Sequence, residues 1–101
     1  MQINIQNKTI LSKDLSNAET AWRIEDAVLV LEYFKANARI VLGGDILTQE
    51  LEHNYDSWYY NIESDEDLQY NIQHSIKTAF EYISSYIKVN GKAFYVIFVT
   101  K

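Results

Sequence analysis

The stretch RIVLGGDIL, residues 39–47, determines the predicted fold because it is apolar at nearly every position. Strands with this pattern are covered on both faces. A second stretch of the same kind is AFYVIFVT, residues 93–100. Between them lies YDSWYYNI, residues 55–62, whose aromatic side chains favour a strand. The three segments therefore predict a small sheet in which the two most apolar strands are neighbours.

The connections between these segments predict the order of the strands. Residues 48–54 are few and polar, so the first two strands should form an antiparallel hairpin. A right-handed crossover through a helix then places the third strand beside the first, in the order 2-1-3. The third strand is antiparallel to the first and points the same way as the second. The pattern of residues 1–20 is ambiguous. Ile3 and Ile5 alternate like an edge strand, whereas residues 10–15 fit a helical turn.

Two segments have the periodicity of helices, residues 65–88 and the shorter residues 24–36. We expect the longer helix to begin at a capping box of Ser64 and Asp67 and to end at Asn90-Gly91. Trp22 precedes the shorter helix, in position for a hydrophobic staple. The predicted apolar face of the longer helix consists of Leu68, Ile72, Ile76, Ala79, Phe80, Ile83 and Ile87.

The element order α-β-β-α-β indicates an α+β fold, with two helices and a three- or four-stranded sheet that is mixed but largely antiparallel. If both helices cover one face, half of the third strand faces the other way. The two alternating sets of that strand are Phe94, Val96 and Phe98, and Tyr95, Ile97 and Val99. Either set is too apolar to face water. We therefore expect the N-terminal segment, a second copy of the chain or a partner to cover it.

The composition is that of one soluble domain, residues 1–101, and excludes several classes of protein. There is no cysteine, which excludes a disulfide framework and a thiolate zinc site. A net charge of −5 opposes unaided binding to nucleic acid or to an anionic membrane. The opening MQINIQNKTI lacks the apolar core of a signal peptide, and no apolar run nears the roughly 20 residues of a membrane span. We expect a cytoplasmic protein.

Two glycines in succession, Gly43 and Gly44, interrupt the first predicted strand. Glycine inside a strand costs stability, and it usually marks a bulge or a close approach of another part of the chain. The pair does not fit a phosphate-binding loop, because neither a helix start nor a GK[ST] motif follows. We predict a structural bulge, which would aim Asp45 at a partner or at a neighbouring side chain.

Asp45, His53 and Asp56 are the one grouping of histidine and carboxylates in the predicted hairpin. A general base or a metal ion would need such side chains to converge. Their spacing matches neither HxH nor HExxH, and no serine lies in a nucleophile elbow. We expect no enzyme, no metal site and no cofactor. A small enzyme that uses Asp45 or Asp56 with His53 is the least favoured alternative.

The acidic residues are concentrated in one part of the chain. Eight of the 14 lie within residues 45–67, which hold no Lys or Arg, so that segment carries −8 and the remainder +3. Acidic side chains around aromatic anchors suit a surface that holds a basic partner. In the alternative interpretation the acids form a solvated rim and the aromatics pack a half-buried strand. The candidate partner-binding residues are Asp45, Glu50, Glu52, Asp56, Trp58, Tyr59 and Tyr60.

The order of these features resembles the immunity protein 40 family of bacterial polymorphic toxin systems, over roughly residues 20–100. The most specific parts of the resemblance are VLGGD at residues 41–45 and YDSWYY at residues 55–60. The matching order begins at Trp22, and Ala27 in the E-D-A of the first helix is a weaker marker. The resemblance implies a non-catalytic antidote that is made beside a toxin and binds its catalytic domain. If that toxin is a nuclease, its active face would be basic and would attract the acidic segment.

A second class of function is a homo-oligomeric structural or regulatory binding domain with no toxin partner. In that case the apolar sheet face would pair with a second copy of the chain. A homodimer is also compatible with the immunity hypothesis, because an immunity protein can itself dimerise.

Overall fold

The structure, a computed structural model, describes residues 1–15 and 19–101. Along these residues the strands are β1 (Gln2–Ile5), β2 (Lys8–Leu11), β3 (Lys13–Asp14), β4 (Thr20–Arg23), β5 (Val41–Leu47), β6 (His53–Tyr59) and β7 (Tyr95–Thr100). The helices are α1 (Ala27–Ala36), which follows a 3₁₀ turn at Ile24–Asp26, and α2 (Leu68–Asn90). None of the helices formed by the described residues is long and apolar enough to cross a membrane. The α+β class is confirmed.

The described strands form a five-stranded sheet in the order β3-β4-β7-β5-β6 and a separate β1-β2 hairpin. The predicted order of the last three strands is confirmed, with β5 between β6 and β7. The predicted mixed character is wrong for the described part of the chain, where every pairing is antiparallel. Strands β6 and β7 do point the same way, but β5 separates them. The predicted count of three or four strands is also too low.

The N-terminal residues supply four strands, of which only β1 was predicted. Ile3 and Ile5 do alternate in a strand, but β1 pairs with β2 and not with the main sheet. Their two-residue turn has positive φ at Gln6 (51°) and Asn7 (62°), which matches the twist of a tight hairpin. The helical turn predicted for residues 10–15 is wrong, because β2 and β3 cover most of them. Strands of two to four residues are too short to show a clear period.

Trp22 belongs to a strand that the sequence did not predict, and it shares the core with Ile24 and Ala27 at the start of the helical segment. It lies in β4, opposite Val96 of β7, and its side chain is buried in the core. Pairing with a strand more than seventy residues away is a tertiary interaction, which the local sequence around Trp22 does not encode. The structural importance predicted for Trp22 is therefore retained, but its place in the fold differs.

Helix α2 starts later than predicted because Asp67, not Ser64, caps it. The Asp67 carboxylate accepts a hydrogen bond from the Tyr70 backbone N–H at 2.7 Å. The helix ends at Gly91, as predicted, where φ is 88°.

The buried face of α2 contains Ile72, Ala79 and Ile83 as predicted, but it differs from the predicted face at other positions. Leu68 and Phe80 are exposed, whereas Asn71 and Ser75 are buried. Ser75 Oγ accepts the backbone N–H of Val41 at 2.9 Å and donates to the carbonyl of Ile72 at 3.0 Å. A polar side chain is therefore buried where it hydrogen-bonds the end of β5, which an apolar periodicity cannot predict.

Both helices and the β1-β2 hairpin pack on one face of the main sheet, which forms the larger core. On the other face, Ala21, Leu47 and Ile97 are buried beneath Leu15, Leu51 and Tyr95. Leu15 thus supplies part of the cover that was predicted for the N-terminal segment. The cover does not extend over the whole face, because Tyr59 is 77% and Val99 46% exposed.

Gly44 lies in one row across the sheet with Trp58 of β6 and Phe98 of β7. The Trp58 indole reaches over Gly44 and meets the Phe98 ring edge-on, with the centroids 5.9 Å apart. A Cβ on Gly44 would overlap that indole, and a Cβ on Gly43 would overlap the backbone carbonyl of Trp58. The register of β5 with β7 also shifts between Val41 and Gly43. The predicted close approach is confirmed, whereas the irregularity lies just before the glycine pair and not at Gly43-Gly44 itself.

Replacing Gly44 should destabilise the fold strongly. In Gly44→Ala the new methyl group meets the indole and, at 2.5 Å, the backbone oxygen of Ile97, which cannot rotate away. Overpacking of this kind costs about 1–3 kcal/mol, and chemical unfolding in urea would measure it. Ser57→Ala, at an exposed position of β6, is the matched control and should stay within about 0.5 kcal/mol of wild type. Equal stability of the two variants would contradict the close approach.

Candidate partner-binding site

The acidic hairpin, which we define as residues 41–59, consists of β5, β6 and the turn between them. The turn is closed by Thr48, whose N–H donates to the carbonyl of Glu52 at 2.7 Å and whose Oγ1 accepts the N–H of Glu52 at 3.2 Å. Leu51 has a φ of 65° and packs its side chain on the second face of the sheet. Because the turn is tied down at both ends, Glu50 and Glu52 project from a defined position.

The negative charge around this hairpin is not neutralised within the chain. The ion pairs described join Asp14 to the N-terminus, Arg23 to Glu25 and Lys77 to Glu81, all outside residues 45–67. Within residues 1–15 and 19–101, none of the eight acids of that segment has a cationic partner within 4.0 Å. Uncompensated charge of one sign produces a field that attracts cationic groups.

The four predicted acidic contacts take different positions on the hairpin. Glu50 and Glu52 are exposed in the turn. Asp45 is half-buried and faces the side of the sheet opposite the helices, since its neighbours Gly44 and Ile46 face the helix-side core. Asp56 is exposed, but its Oδ2 accepts a hydrogen bond from a tyrosine of α2. The four carboxylates therefore do not converge on one point.

The three predicted aromatic contacts also differ. Tyr59 is exposed on the open face of the sheet. Tyr60 is half-buried and donates its hydroxyl to Asn71 Oδ1 at 2.8 Å. Trp58 is only 8% exposed, and its indole stacks on Tyr82 with the ring centroids 5.0 Å apart. The place of Trp58 is in the core, and Tyr59 offers the accessible ring of the three.

A residue that the sequence reasoning did not single out is the most exposed aromatic of the hairpin. Tyr55 is 92% exposed, and its φ of 67° lies in the left-handed region. The register shift there sets one residue of β5, Ile46, against residues 54–56 of β6, so Tyr55 projects from a bulge. The sequence signal for this bulge was Asn54-Tyr55-Asp56. An asparagine side chain that accepts a hydrogen bond from the backbone N–H two residues later forms an Asx turn.

A closed ring of hydrogen bonds holds this bulge. Asn54 Nδ2 donates to the Tyr86 hydroxyl at 2.7 Å, and that hydroxyl donates to Asp56 Oδ2 at 2.8 Å. The Asp56 backbone N–H donates to Asn54 Oδ1 at 3.1 Å. Burial, and then the hydrogen bond to Asp56, raise the pKa of Tyr86. Helix α2 thus fixes both neighbours of Tyr55 through one hydroxyl group.

The two carboxylates of the enzyme alternative are not brought together by the fold. Asp45 faces away from the helices, whereas Asp56 bonds a side chain of α2, so the two carboxylates lie on opposite sides of the sheet. Among the described residues, no group of three His, Cys, Asp or Glu side chains could hold a metal ion. A cavity of about 370 Å³ lies near Arg39 and Phe98, and its described lining has no carboxylate or histidine to serve as a base.

Alkaline pH should destabilise the protein through its buried phenols. Burial is the main cause that raises the pKa of Tyr60, Tyr82 and Tyr86 above 10.0. The folded state then holds these protons more tightly than the unfolded chain, so this stability is complete below about pH 10 and is lost as pH rises further. Urea midpoints should stay level from about pH 8 to 10 and fall from about pH 10 to 11.5, and the fall should be less steep in Tyr86→Phe. An equally steep fall in that variant would contradict the assignment.

The strain at Tyr55 predicts an unusual response to mutation. Left-handed backbone costs most side chains about 1–2 kcal/mol, whereas asparagine tolerates it. Tyr55→Asn should therefore leave the free energy of unfolding unchanged or raise it by up to about 1 kcal/mol, measured by urea titration. Tyr59→Asn is the matched control in extended backbone and should lose about 0.5 kcal/mol. A loss of more than about 1 kcal/mol in Tyr55→Asn would contradict the strain.

Comparison with known proteins assigns this arrangement to a family. Neither the search of curated proteins nor the search of solved structures finds a match to the chain. A family model described as immunity protein 40 matches residues 10–100 of the 101 residues. The match contains the whole acidic hairpin and both helices, and it confirms the resemblance seen in VLGGD and YDSWYY. The chain belongs to the immunity protein 40 family.

Proposed function

We propose that this chain is a non-catalytic immunity protein that binds a cognate bacterial toxin domain through the acidic hairpin and so neutralises the toxin. Membership of the family gives an immunity function and a toxin as the general kind of partner. The observation that carries the proposed surface is the uncompensated charge of residues 45–67 beside exposed tyrosine rings. Such a surface is suited to a basic partner and offers no catalytic constellation.

Charge and aromatic rings would have separate tasks in this interaction. The acidic field raises the association rate with a cationic surface, and buried rings lengthen the life of the complex. The proposed toxin domain therefore has a basic active face, as a nuclease has. In this proposal the association rate is raised by the carboxylates of Asp45, Glu50, Glu52 and Asp56. The lifetime of the complex is lengthened by the rings of Tyr59 and Tyr60. Trp58 supports the hairpin from the core.

The proposed setting is the cytoplasm of the cell that makes the toxin, where residues 1–101 act as one domain. Binding requires no cofactor, nucleic acid or membrane.

One observation favours a second candidate, self-association without a toxin. The open part of the sheet exposes Tyr59 and Val99 across β5, in register with Gly43. Two copies that meet there would cover both side chains. Light scattering of the purified chain at micromolar concentration separates a monomer from a dimer. A dimer that leaves toxin neutralisation intact would support the primary proposal, because an immunity protein can itself dimerise, whereas a dimer without any toxin binding would favour self-association.

Co-expression tests the primary proposal directly. The toxin domain encoded immediately upstream is induced with and without this chain, and survival and co-purification are scored. We expect survival only with the chain present, together with a complex that can be purified. Death in both cases and no complex, with the chain shown to be folded, would overturn the proposal.

Charge reversal in the turn should weaken binding without unfolding the protein. Glu50→Lys/Glu52→Lys replaces two exposed carboxylates, so the stability change should stay within about 0.5 kcal/mol. The association rate with the toxin domain should fall about tenfold or more at low salt, and by less as salt screens the charges. Stopped-flow or biolayer measurements at two salt concentrations give this rate.

The matched control for this variant is Glu32→Lys/Glu81→Lys, which makes the same change in net charge on exposed helix positions. It should retain most of the association rate, because only a general field effect remains. Equal losses in the two variants would mean that net charge, and not the acidic hairpin, drives the association.

A further inference from the structure

The bulge in β6 presents an aromatic ring at a position where an aromatic ring is costly. Tyr55 has a φ of 67° and 92% of its surface exposed, so burial does not offset its strain. Asparagine or glycine would adopt the same backbone more readily. Strained, exposed and well-held residues are characteristic of sites that act on a partner.

Edge protection is the alternative explanation of the bulge, because β6 is the last strand in the sheet. A bulge prevents a strand of another chain from adding to the edge, but that task needs only the irregular backbone. It does not explain a large ring at the tip, which adds accessible apolar surface where edge protection favours lysine or proline. The identity of residue 55 therefore requires a further reason.

The hydrogen-bond ring makes Tyr55 a preorganised group. Asn54 and Asp56 both bond the Tyr86 hydroxyl, and they also bond each other. Tyr86 is held in turn by a stacked contact with Tyr82 (6.1 Å) and an edge contact with Phe94 (5.3 Å). The position of the Tyr55 backbone is thus connected to the centre of the core, so less freedom is lost when a partner binds.

We propose that Tyr55 is an anchor of the toxin-binding surface, that its ring receives an arginine or lysine side chain of the toxin, and that Tyr86 is the positioning residue that holds Tyr55 in place. The occupant follows from charge complementarity, because Asp56 adjoins the ring in sequence and Asp45, Glu50 and Glu52 lie on the same hairpin. A cation over an aromatic face, beside a carboxylate, satisfies both attractions. This inference rests on the proposed function and names the chemistry of that same surface.

The test is a double-mutant cycle on binding of the purified toxin domain encoded upstream. Tyr55→Ala should raise the Kd about tenfold or more, chiefly through faster dissociation. Tyr55→Phe should bind within about threefold of wild type, because a cation contacts the ring face and not the hydroxyl. Both variants should remain folded, since residue 55 has few contacts to lose.

The role of Tyr86 is measured by coupling in the same cycle. Tyr86→Phe should raise the Kd about three- to tenfold in the wild-type background, yet change it little when Tyr55 is already alanine. If Tyr86→Phe weakened binding only through a general structural defect, it would raise the Kd by the same factor in both backgrounds. Hydrogen exchange supplies a readout independent of binding, because the Asp56 amide should exchange faster in Tyr86→Phe. Tyr82→Phe, one helical turn before Tyr86, removes a hydroxyl outside the ring and is the matched control.

The outcomes separate this inference from the function on which it rests. If wild type does not bind the toxin domain, the proposed function is overturned and the anchor with it. If wild type binds, and Tyr55→Ala binds equally well while Glu50→Lys/Glu52→Lys is impaired, the function stands and the anchor is wrong. If Tyr55→Ala is impaired but Tyr86→Phe is additive with it, Tyr55 is an anchor and the positioning role of Tyr86 is overturned.

Discussion

The Trp58 indole lies across Gly44 because that position has no side chain, and much of the structure depends on this contact. The indole extends from β6 over the central strand to Phe98 of β7, while its face stacks on Tyr82 of α2. Phe98 continues the contact to Phe34 of α1, with the ring centroids 5.5 Å apart. One aromatic side chain therefore connects three strands and both helices, and each ring pair adds about 0.5–1.5 kcal/mol beyond its buried area.

The same aromatic series extends to the surface of the molecule. Tyr82 stacks on Tyr86, whose hydroxyl binds the two residues that flank Tyr55. A strained bulge at a sheet edge would ordinarily relax, because edge residues have few contacts. Here the strain persists because the Tyr86 hydroxyl prevents the bulge from relaxing, and Tyr86 belongs to a helix that is fixed by the core. The geometry of the exposed hairpin is thus determined by packing beneath it.

The sequence predicted those parts of the fold whose signals are periodic. The order of β6, β5 and β7 and the two helices followed from apolar patterns, and Gly43-Gly44 marked the close approach correctly. Strands β2 to β4 were not predicted, and β1 was predicted only as an edge strand, because two to four residues carry too little pattern and β4 pairs with distant β7. Trp58 was grouped with the surface rings because its burial also depends on a tertiary contact. Strand alternation assigns it to one face, but only the tertiary structure determines that α2 covers that face.

Two features of the acidic hairpin destabilise the free chain, and their occurrence together is the strongest argument that the hairpin binds a partner. Carboxylates without cationic partners repel one another, and left-handed backbone at Tyr55 raises the energy of the free chain. Neither feature takes part in the contact between Gly44 and Trp58. A cationic partner relieves the repulsion between the carboxylates on contact. Binding does not relieve the strained backbone, but the hydrogen bonds that hold this backbone fix the point from which the Tyr55 ring projects, and this reduces the entropy lost on binding. A surface whose features destabilise the free chain and favour the complex is what selection for binding, rather than for stability, would retain.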